Sequence, residues 1–381
     1  MRRGAFFGVV LGVLLSGCVA PPAQNASSAE KSGRVPEVSD NLTAVIGDVQ
    51  TSFVAVGRGD LSKASNLQSD ILILSRAIDG GRVQEEGQLV LKFYRGMAQQ
   101  SLASTNAMIG LPVDTRMAKA ALADYSAIIN TSLKSSRVTA LKSQALYMSG
   151  GITLNDLNAP PQAMHFYRKC AALENAACQN VMASVMVSGY AGVKKDVRAA
   201  AKLYQSAVES GVSSGCAGAF SALSLASIQH FTGISVEGND DLHWLRKAYR
   251  LGEQMKARSE GHDVCGTANY YFVEYLMRLD KGDPQPALLQ HALDEHSPPV
   301  PDPIAKLAAY LKGDLSANDY REVVLGIEEP YSRCDYAFKG FWKAATAKHN
   351  RDARAFRSIL EQDRDNLVCL NDLEFARHRK L

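Results

Sequence analysis

The chain has 381 residues, of which 46% are hydrophobic, and this fraction supports a packed core and excludes a fully disordered chain. Its formal net charge is only +3, so the composition gives no electrostatic case for binding nucleic acid. The length predicts two or three domains or one elongated repeat array.

The first residues have the three parts of an export signal. Arg2 and Arg3 form a positive segment, residues 5–15 form an apolar run, and two small residues follow. As a helix, the apolar run would span about 16 Å, which is too short for a bilayer core of about 30 Å. Residues 1–17 are therefore predicted to be a signal peptide rather than a transmembrane helix.

The end of this run, Leu15-Ser16-Gly17-Cys18, resembles the lipobox of bacterial lipoproteins. The resemblance implies that the Cys18 thiol takes a diacylglyceryl group and that cleavage makes Cys18 the acylated N-terminus. Several acyl chains anchor a protein stably where a single chain binds only marginally. Because Val19 is not aspartate, the resemblance also implies the outer membrane. The alternative is an ordinary secretory signal with an unrelated cysteine.

Residues 18–41 are predicted to be the lipidated cysteine and a flexible tether. Residues 19–40 contain three prolines and few large apolar side chains, and such a segment cannot offset its ordering entropy. As a random coil these residues reach about 25 Å, so the tether would hold a folded body just off the membrane.

The tether also contains three motifs that look like the signatures of serine β-lactamases and penicillin-binding proteins. They are Ser28-x-x-Lys31, Lys31-Ser32-Gly33 and Ser39-Asp40-Asn41. Acylation of a serine requires these groups to be held rigidly around one carbonyl, which a flexible tether cannot do. We therefore do not interpret them as catalytic.

From Leu42 onward the apolar residues recur at spacings of three and four, which predicts an all-α body. The clearest helix lies between Asp196, a natural N-cap, and Gly211, which ends it. Five apolar residues fall on one face of this helix: Val197, Ala200, Ala201, Tyr204 and Val208. Alanine-rich helices of this kind suit closely packed antiparallel pairs.

Residues 188–216 resemble the Sel-one-like repeat, a tetratricopeptide-related helix pair. The residues that carry the resemblance are Gly189, Gly192, Lys194, Asp196, Ala201, Tyr204, Ala207 and Gly211. A preceding copy has Ser149-Gly150, Ala163 and Tyr167, and a degenerate third copy has Gly233, Trp244, Ala248 and Gly252. The resemblance implies an α-solenoid of antiparallel helix pairs that forms a right-handed superhelix.

The predicted organisation has three parts after the tether. Residues 42–139 form tetratricopeptide-like helix pairs, residues 140–255 form the Sel-one-like repeats, and residues 256–381 form further helix pairs and a cap. We expect 15 to 18 helices in total. The proline-rich stretch from His296 to Pro303 must break the helical run, either as a long loop or as the boundary of a C-terminal part. The charged residues 371–381 suit a capping helix.

Six cysteines remain besides Cys18, and an exported protein with six cysteines can form three disulfides. Cys170 and Cys178 are predicted to pair because they lie at the end of one helix and the start of the next. Cysteine-rich Sel-one-like proteins have the same spacing. Other pairings stay open for the remaining four, for which we favour Cys216–Cys265 and Cys334–Cys369. Short Cys-x-x-Cys pairs are absent, so we expect no zinc site.

Three weaker patterns have structural interpretations. Residues 211–215 fit Gly-x-Ser-x-Gly, but a predicted helix rather than a strand precedes them, which favours a turn. In "HALDEH", the spacing of His291 and His296, with Asp294 and Glu295 between them, splits the two histidines across helix faces and argues against a metal site. The aromatic residues Tyr270, Tyr271, Phe272 and Tyr275 are predicted to pack between helices.

These features favour a non-catalytic lipoprotein of the bacterial outer membrane that binds protein partners of the cell envelope. The body would lie in the periplasm or on the cell surface, and no cofactor, metal or nucleic acid is expected. One alternative is a penicillin-binding or weakly β-lactamase-active protein, which the resemblance to cysteine-rich repeat proteins suggests. A second alternative is a surface-exposed structural or virulence factor.

Overall fold

The computed structural model describes residues 40–379, except for positions 58, 110, 212–214, 260, 262 and 296–299. The predicted signal peptide, Cys18 and nearly all of the tether lie outside these residues. The described part contains seventeen α-helices and no strand, which confirms the all-α prediction and falls within the expected number of helices.

The helices follow one another with short connections. The first seven are α1 (Asp40–Gly57), α2 (Ala64–Asp79), α3 (Glu85–Met108), α4 (Thr115–Ile129), α5 (Ser136–Gly151), α6 (Pro160–Ala171) and α7 (Ala176–Ser188). The next five are α8 (Val197–Glu209), α9 (Ala217–Thr232), α10 (Asp241–Arg258), α11 (Ala268–Asp280) and α12 (Ala287–Asp294). The last five are α13 (Asp302–Lys312), α14 (Ala317–Leu325), α15 (Pro330–Thr346), α16 (Asn350–Gln362) and α17 (Leu367–Arg377).

The chain divides into two compact units, with the division between Cys178 and Gln179 in the first turn of α7. In the first unit, each of the helices from α1 to α6 packs on its neighbours in sequence. Apolar side chains such as Val49, Leu74 and Leu91 are fully buried there. A pair formed by Arg95 of α3 and Asp124 of α4, 2.6 Å apart, adds a charged contact within one hairpin.

Helix α8 shows how local signals in the sequence produce the predicted element. The Asp196 carboxylate accepts a hydrogen bond from the Ala199 backbone N–H at 2.9 Å, as an N-cap should. Ala200, Ala201, Tyr204, Ala207 and Val208 are buried on one face. After the helix, Gly211 has a φ of 59°, a conformation that glycine adopts without strain.

In several hairpins, a small residue of one helix packs directly against an aromatic ring of the next helix. A methyl group built on any of three glycines would lie 2.6 to 2.8 Å from ring carbons of the facing side chain. The three contacts are Gly96 with Tyr125, Gly150 with Tyr167, and Gly340 with Phe356. In the α7–α8 hairpin the small residue is Ser184, whose hydroxyl lies 2.7 Å from the hydroxyl of Tyr204.

Two glycines of the predicted repeats lie inside helices in the structure rather than in turns. In the preceding copy of the repeat, Gly150 takes the place of Gly189, which has a φ of 77° just after α7. Gly150 instead lies within α5, and the chain continues through a π-helical turn at Ile152–Asp156. Gly252 takes the place of Gly211 in the degenerate third copy, but it lies inside α10, where it packs against Thr267. Close helix packing, rather than a turn, explains both glycines.

The second unit contains contacts between helices that are distant in sequence. Helix α15 packs against α11, and α17 packs against α9. Both helices contribute to one apolar core that also contains residues of α8, α9 and α10. A strictly linear repeat array has only contacts between neighbouring repeats, so these contacts are additional to that pattern.

The two expectations for the C-terminal part have different outcomes. The proline-rich stretch does break the helical run, since α12 ends at Asp294 and α13 begins at Asp302, but both helices belong to the same compact unit. Charged residues expected to form a capping helix lie in the last described helix, but that helix begins before Asn371 and is partly buried. Helix α17 begins at Leu367, and Glu374 and Phe375 are buried in the second unit.

Candidate functional site

Three disulfide bonds connect helices within the two units. Their Cα–Cα distances of 5.7, 5.4 and 5.2 Å lie in the usual range. The first joins α6 to α7, the second joins the start of α9 to the segment before α11, and the third joins α15 to α17. The pairs are those that the sequence favoured, Cys170–Cys178, Cys216–Cys265 and Cys334–Cys369.

One group of residues of metal-ligating types consists of the two cysteines of the third disulfide and a neighbouring aspartate. One ligand atom each from Cys334, Asp363 and Cys369 lie within 4.8 Å of one another. The two sulfurs are bonded to each other, whereas zinc binds thiolates. The Asp363 carboxylate also accepts two hydrogen bonds from Arg333, at 2.8 and 2.9 Å. In this oxidised state the group is a disulfide beside an ion pair.

The described residues of the Gly-x-Ser-x-Gly and "HALDEH" stretches form a turn and contacts with neighbouring helices. Gly211 and Gly215 lie between α8 and α9, and both have a positive φ, as a turn requires; Ser213 lies outside the described residues. His291 packs on the Tyr271 ring, and Glu295 pairs with Lys256 at 2.6 Å.

The predicted helix-packing role of the aromatic group is confirmed for three of its members. Tyr270, Phe272 and Tyr275 are buried in α11. The hydroxyls of the two tyrosines donate hydrogen bonds to the backbone carbonyls of Cys265 and Leu311, at 3.1 and 3.2 Å.

The most elaborate polar site in the second unit was not predicted from the sequence. At its centre, His230 near the end of α9 lies between two carboxylates. Its Nδ1 is 2.8 Å from Asp241 at the start of α10, and its Nε2 is 2.7 Å from Asp280 at the end of α11. The imidazole therefore connects the ends of three helices.

Further donors complete this site, which we call the Asp280 cluster. Lys281 binds the other Asp241 oxygen at 2.6 Å. The Trp342 indole N–H donates to Asp280 Oδ2 at 2.7 Å, and the hydroxyl of Thr346 and the guanidinium of Arg379 also contact that carboxylate. The cluster consists of His230, Asp241, Asp280, Lys281, Trp342, Thr346 and Arg379.

Burial opposes the charged forms of the side chains in the cluster, so each charge depends on its hydrogen-bonding and charged partners. Burial alone would raise the pKa of Asp241, but hydrogen bonds from His230 and Lys281 outweigh that effect and hold the pKa well below its usual range. Burial lowers the pKa of Arg379 to about 10. Enclosing this guanidinium therefore costs free energy that its contacts must offset.

This arrangement is suited to holding a cation rather than to transferring a proton. A general base needs a ring nitrogen within reach of a substrate proton, whereas both nitrogens of His230 face carboxylate oxygens. No local motif marks the site in the sequence, because the contacts of Asp280 with His230 and Trp342 span 50 and 62 residues.

A second unpredicted polar site lies in the first unit, at the π-helical turn after α5. Burial raises the pKa of Asp156 to about 7, against a smaller lowering effect of its hydrogen bond from Ser104. In the described structure the buried side-chain oxygens of Ser149, Thr153 and Asn155 have no hydrogen-bond partner. Such π-helical insertions are frequent at functional sites.

Comparisons with protein-family models, with curated proteins and with solved structures found no significant match. The described part of the chain contains no helix with the length and apolar character needed to cross a membrane. The assignment of a function therefore depends on the residues themselves.

Proposed function

We propose that this chain is a non-catalytic, lipid-anchored protein of the bacterial outer membrane that binds protein partners in the cell envelope. The observation that carries the proposal is a series of packed helical hairpins held by three disulfides. Structural disulfides are typical of proteins that mature in an oxidising compartment, which agrees with the predicted export signal and the lipobox-like motif.

Stacked helical hairpins support a scaffold role because each hairpin contributes side chains to an extended binding surface. In the first unit, Ile109 and Leu111 lie in the connection between α3 and α4, and 57% and 54% of their surfaces are exposed. Large apolar side chains that lie close together on a surface are typical of interaction sites. We expect a protein partner to contact this connection.

The lipid anchor can be tested by fractionating cells that express two variants. Cys18→Ser removes the thiol that would carry the lipid, so the chain should move from the membrane fraction to the soluble fraction. Val19→Asp should shift it from the outer to the inner membrane without releasing it. A wild-type chain found in the soluble fraction would contradict the anchor.

The scaffold role can be tested by cross-linking mass spectrometry in intact envelopes. The double variant Ile109→Ser/Leu111→Ser should lose its partner cross-links, whereas Leu72→Ser, an exposed single side chain on α2, should keep them. The proposal fails if no envelope protein is cross-linked specifically to the wild-type chain. Turnover of a chromogenic β-lactam that depends on one serine would contradict the non-catalytic assignment.

A further inference from the structure

Arg379 lies in a pocket with the features of a guanidinium-binding site. Its guanidinium carbon is 5.5 Å from the centre of the Phe231 ring and 5.7 Å from that of Trp342, within the range of cation–π attraction. One of its nitrogens donates to the Thr346 hydroxyl at 3.1 Å, and another pairs with Asp280. Two aromatic rings, a hydroxyl, a carboxylate and the His230 ring, whose Nε2 lies 3.5 Å from a guanidinium nitrogen, thus surround one cation.

The walls of this pocket are held in place by groups other than Arg379. The Asp280 carboxylate is already fixed by hydrogen bonds from His230 and Trp342, both at 2.7 Å. The Phe231 ring contacts Trp342 and Phe375, with ring centres 4.5 and 5.4 Å apart. Because the acceptor and the rings are preorganised, the pocket should persist when the arginine is absent, which favours binding of a replacement cation.

Arg379 itself is held less firmly than the pocket. It lies after the last residue of α17, outside any helix, and its side chain is 20% exposed. Its backbone N–H makes a long hydrogen bond of 3.3 Å to the Ala376 carbonyl. Short segments beyond the end of a helix open locally at little free-energy cost, so the pocket can lose its occupant while the unit stays folded.

We propose that the pocket formed by Phe231, Asp280, Trp342 and Thr346 is a guanidinium-binding site that Arg379 occupies in the free protein. An arginine side chain of a partner protein binds there after displacing Arg379. Arginine is favoured over lysine because a planar guanidinium can stack on the rings while it donates to Asp280 and Thr346 at once. This proposal does not depend on lipidation of the chain. It rests on the proposed scaffold role in one respect, which is that the partner is a protein.

The test measures binding of Nα-acetyl-L-arginine amide to the purified full chain by calorimetry and by Trp342 fluorescence. Arg379→Ala should bind this probe at least tenfold more tightly than the wild type, whose own arginine competes. The lysine analogue should bind Arg379→Ala at least tenfold more weakly than the arginine probe. Arg377→Ala is the matched control, because Arg377 pairs with Glu374 outside the pocket, and it should behave as the wild type does.

A second substitution separates loss of the site from loss of the fold. Adding Asp280→Asn to Arg379→Ala should abolish binding of the probe, and adding Thr346→Val instead should weaken it while leaving the bonds of Asp280 to His230 and Trp342. The proposal is overturned if folded Arg379→Ala binds no probe, or binds it no better than the wild type, or binds both analogues equally. These outcomes leave the scaffold proposal, which is tested by cross-linking, unaffected.

Discussion

The contact between Gly150 and Tyr167 allows a quantitative test of the helix packing. In Gly150→Ala, the added methyl carbon would lie 2.6, 2.7 and 2.9 Å from three ring atoms of Tyr167. Favourable contacts between carbon atoms lie at about 3.5–4.0 Å. Tyr167 is fully buried, so relief requires α5 and α6 to separate or the ring to rotate within a packed core.

The expected change combines two opposing effects. Crowding in a packed core costs about 1–3 kcal/mol. Alanine is favoured over glycine inside a helix by about 1 kcal/mol. Gly47→Ala in α1 is the matched control, because no atom lies within 4 Å of its added methyl group. It should raise the free energy of unfolding by up to about 1 kcal/mol, whereas Gly150→Ala should lower it by up to about 2 kcal/mol.

Urea unfolding followed by circular dichroism at the helix band measures both variants. The difference between them isolates the crowding effect, because the change in helix propensity is common to both. A double variant, Gly150→Ala/Tyr167→Leu, should be less destabilised than the sum of the single variants, since the leucine makes room for the methyl group. If Gly150→Ala stabilised the protein as much as Gly47→Ala does, close helix approach would not explain this glycine.

Two further predictions concern the disulfides and Asp156. Replacing both cysteines of a pair by serine should lower the free energy of unfolding by about 4 kcal/mol for Cys216–Cys265 and by about 2.5 kcal/mol for Cys170–Cys178. The first loss is larger because that disulfide closes the longer loop. Equal losses in urea unfolding would contradict this order. Since the pKa of Asp156 is raised to about 7, the folded state keeps a proton that the unfolded state releases, and stability should fall as pH rises between about 4 and 7. Asp156→Asn should remove that decline and be more stable than the wild type by about 2–4 kcal/mol at pH 8, with little difference at pH 4; a parallel decline in both proteins would refute the role of Asp156.

Local sequence signals predicted local structure well. The N-cap at Asp196, the buried face of α8 and the turn at Gly211 all follow from interactions within a few residues, and all are present in the structure. The all-α class follows from the same kind of signal repeated along the chain. The Cys170–Cys178 pair could also be anticipated, because its two cysteines lie on either side of one short turn.

The roles of the glycines could not be derived in this way. A glycine in a helical sequence can end the helix, or it can let a neighbouring ring approach, and the sequence does not distinguish these uses. Gly150 and Gly252 take the places of turn glycines in the predicted repeat copies. Their role follows instead from Tyr167, which lies in the next helix, and Thr267, which immediately precedes the next helix.

The Asp280 cluster was inaccessible to sequence analysis for a different reason. Its members come from the ends of α9, α10 and α11, from α15 and from the segment after α17. Asp241 and Asp280 each read as an ordinary residue at a helix end, where charged side chains are usually solvated. The packing of α9 on α10 brings Asp241 to His230. The packing of α15 on α11 and of α17 on α9 adds Trp342, Thr346 and Arg379 around Asp280.

These distant contacts change what holds the second unit together. In a linear repeat array, each hairpin can separate from its neighbours without affecting remote ones. Here Lys195, just before α8, pairs with Glu374 of α17. Arg379, which follows α17, pairs with Asp280 of α11, and the same carboxylate contacts His230 of α9. Removing Lys195 would leave the buried Glu374 carboxylate with one cation fewer, which should weaken the packing of α17 on the rest of the unit. The charges therefore bind the last helix to the first ones of the unit, and the same contacts that stabilise it also place an exchangeable arginine in a preformed site.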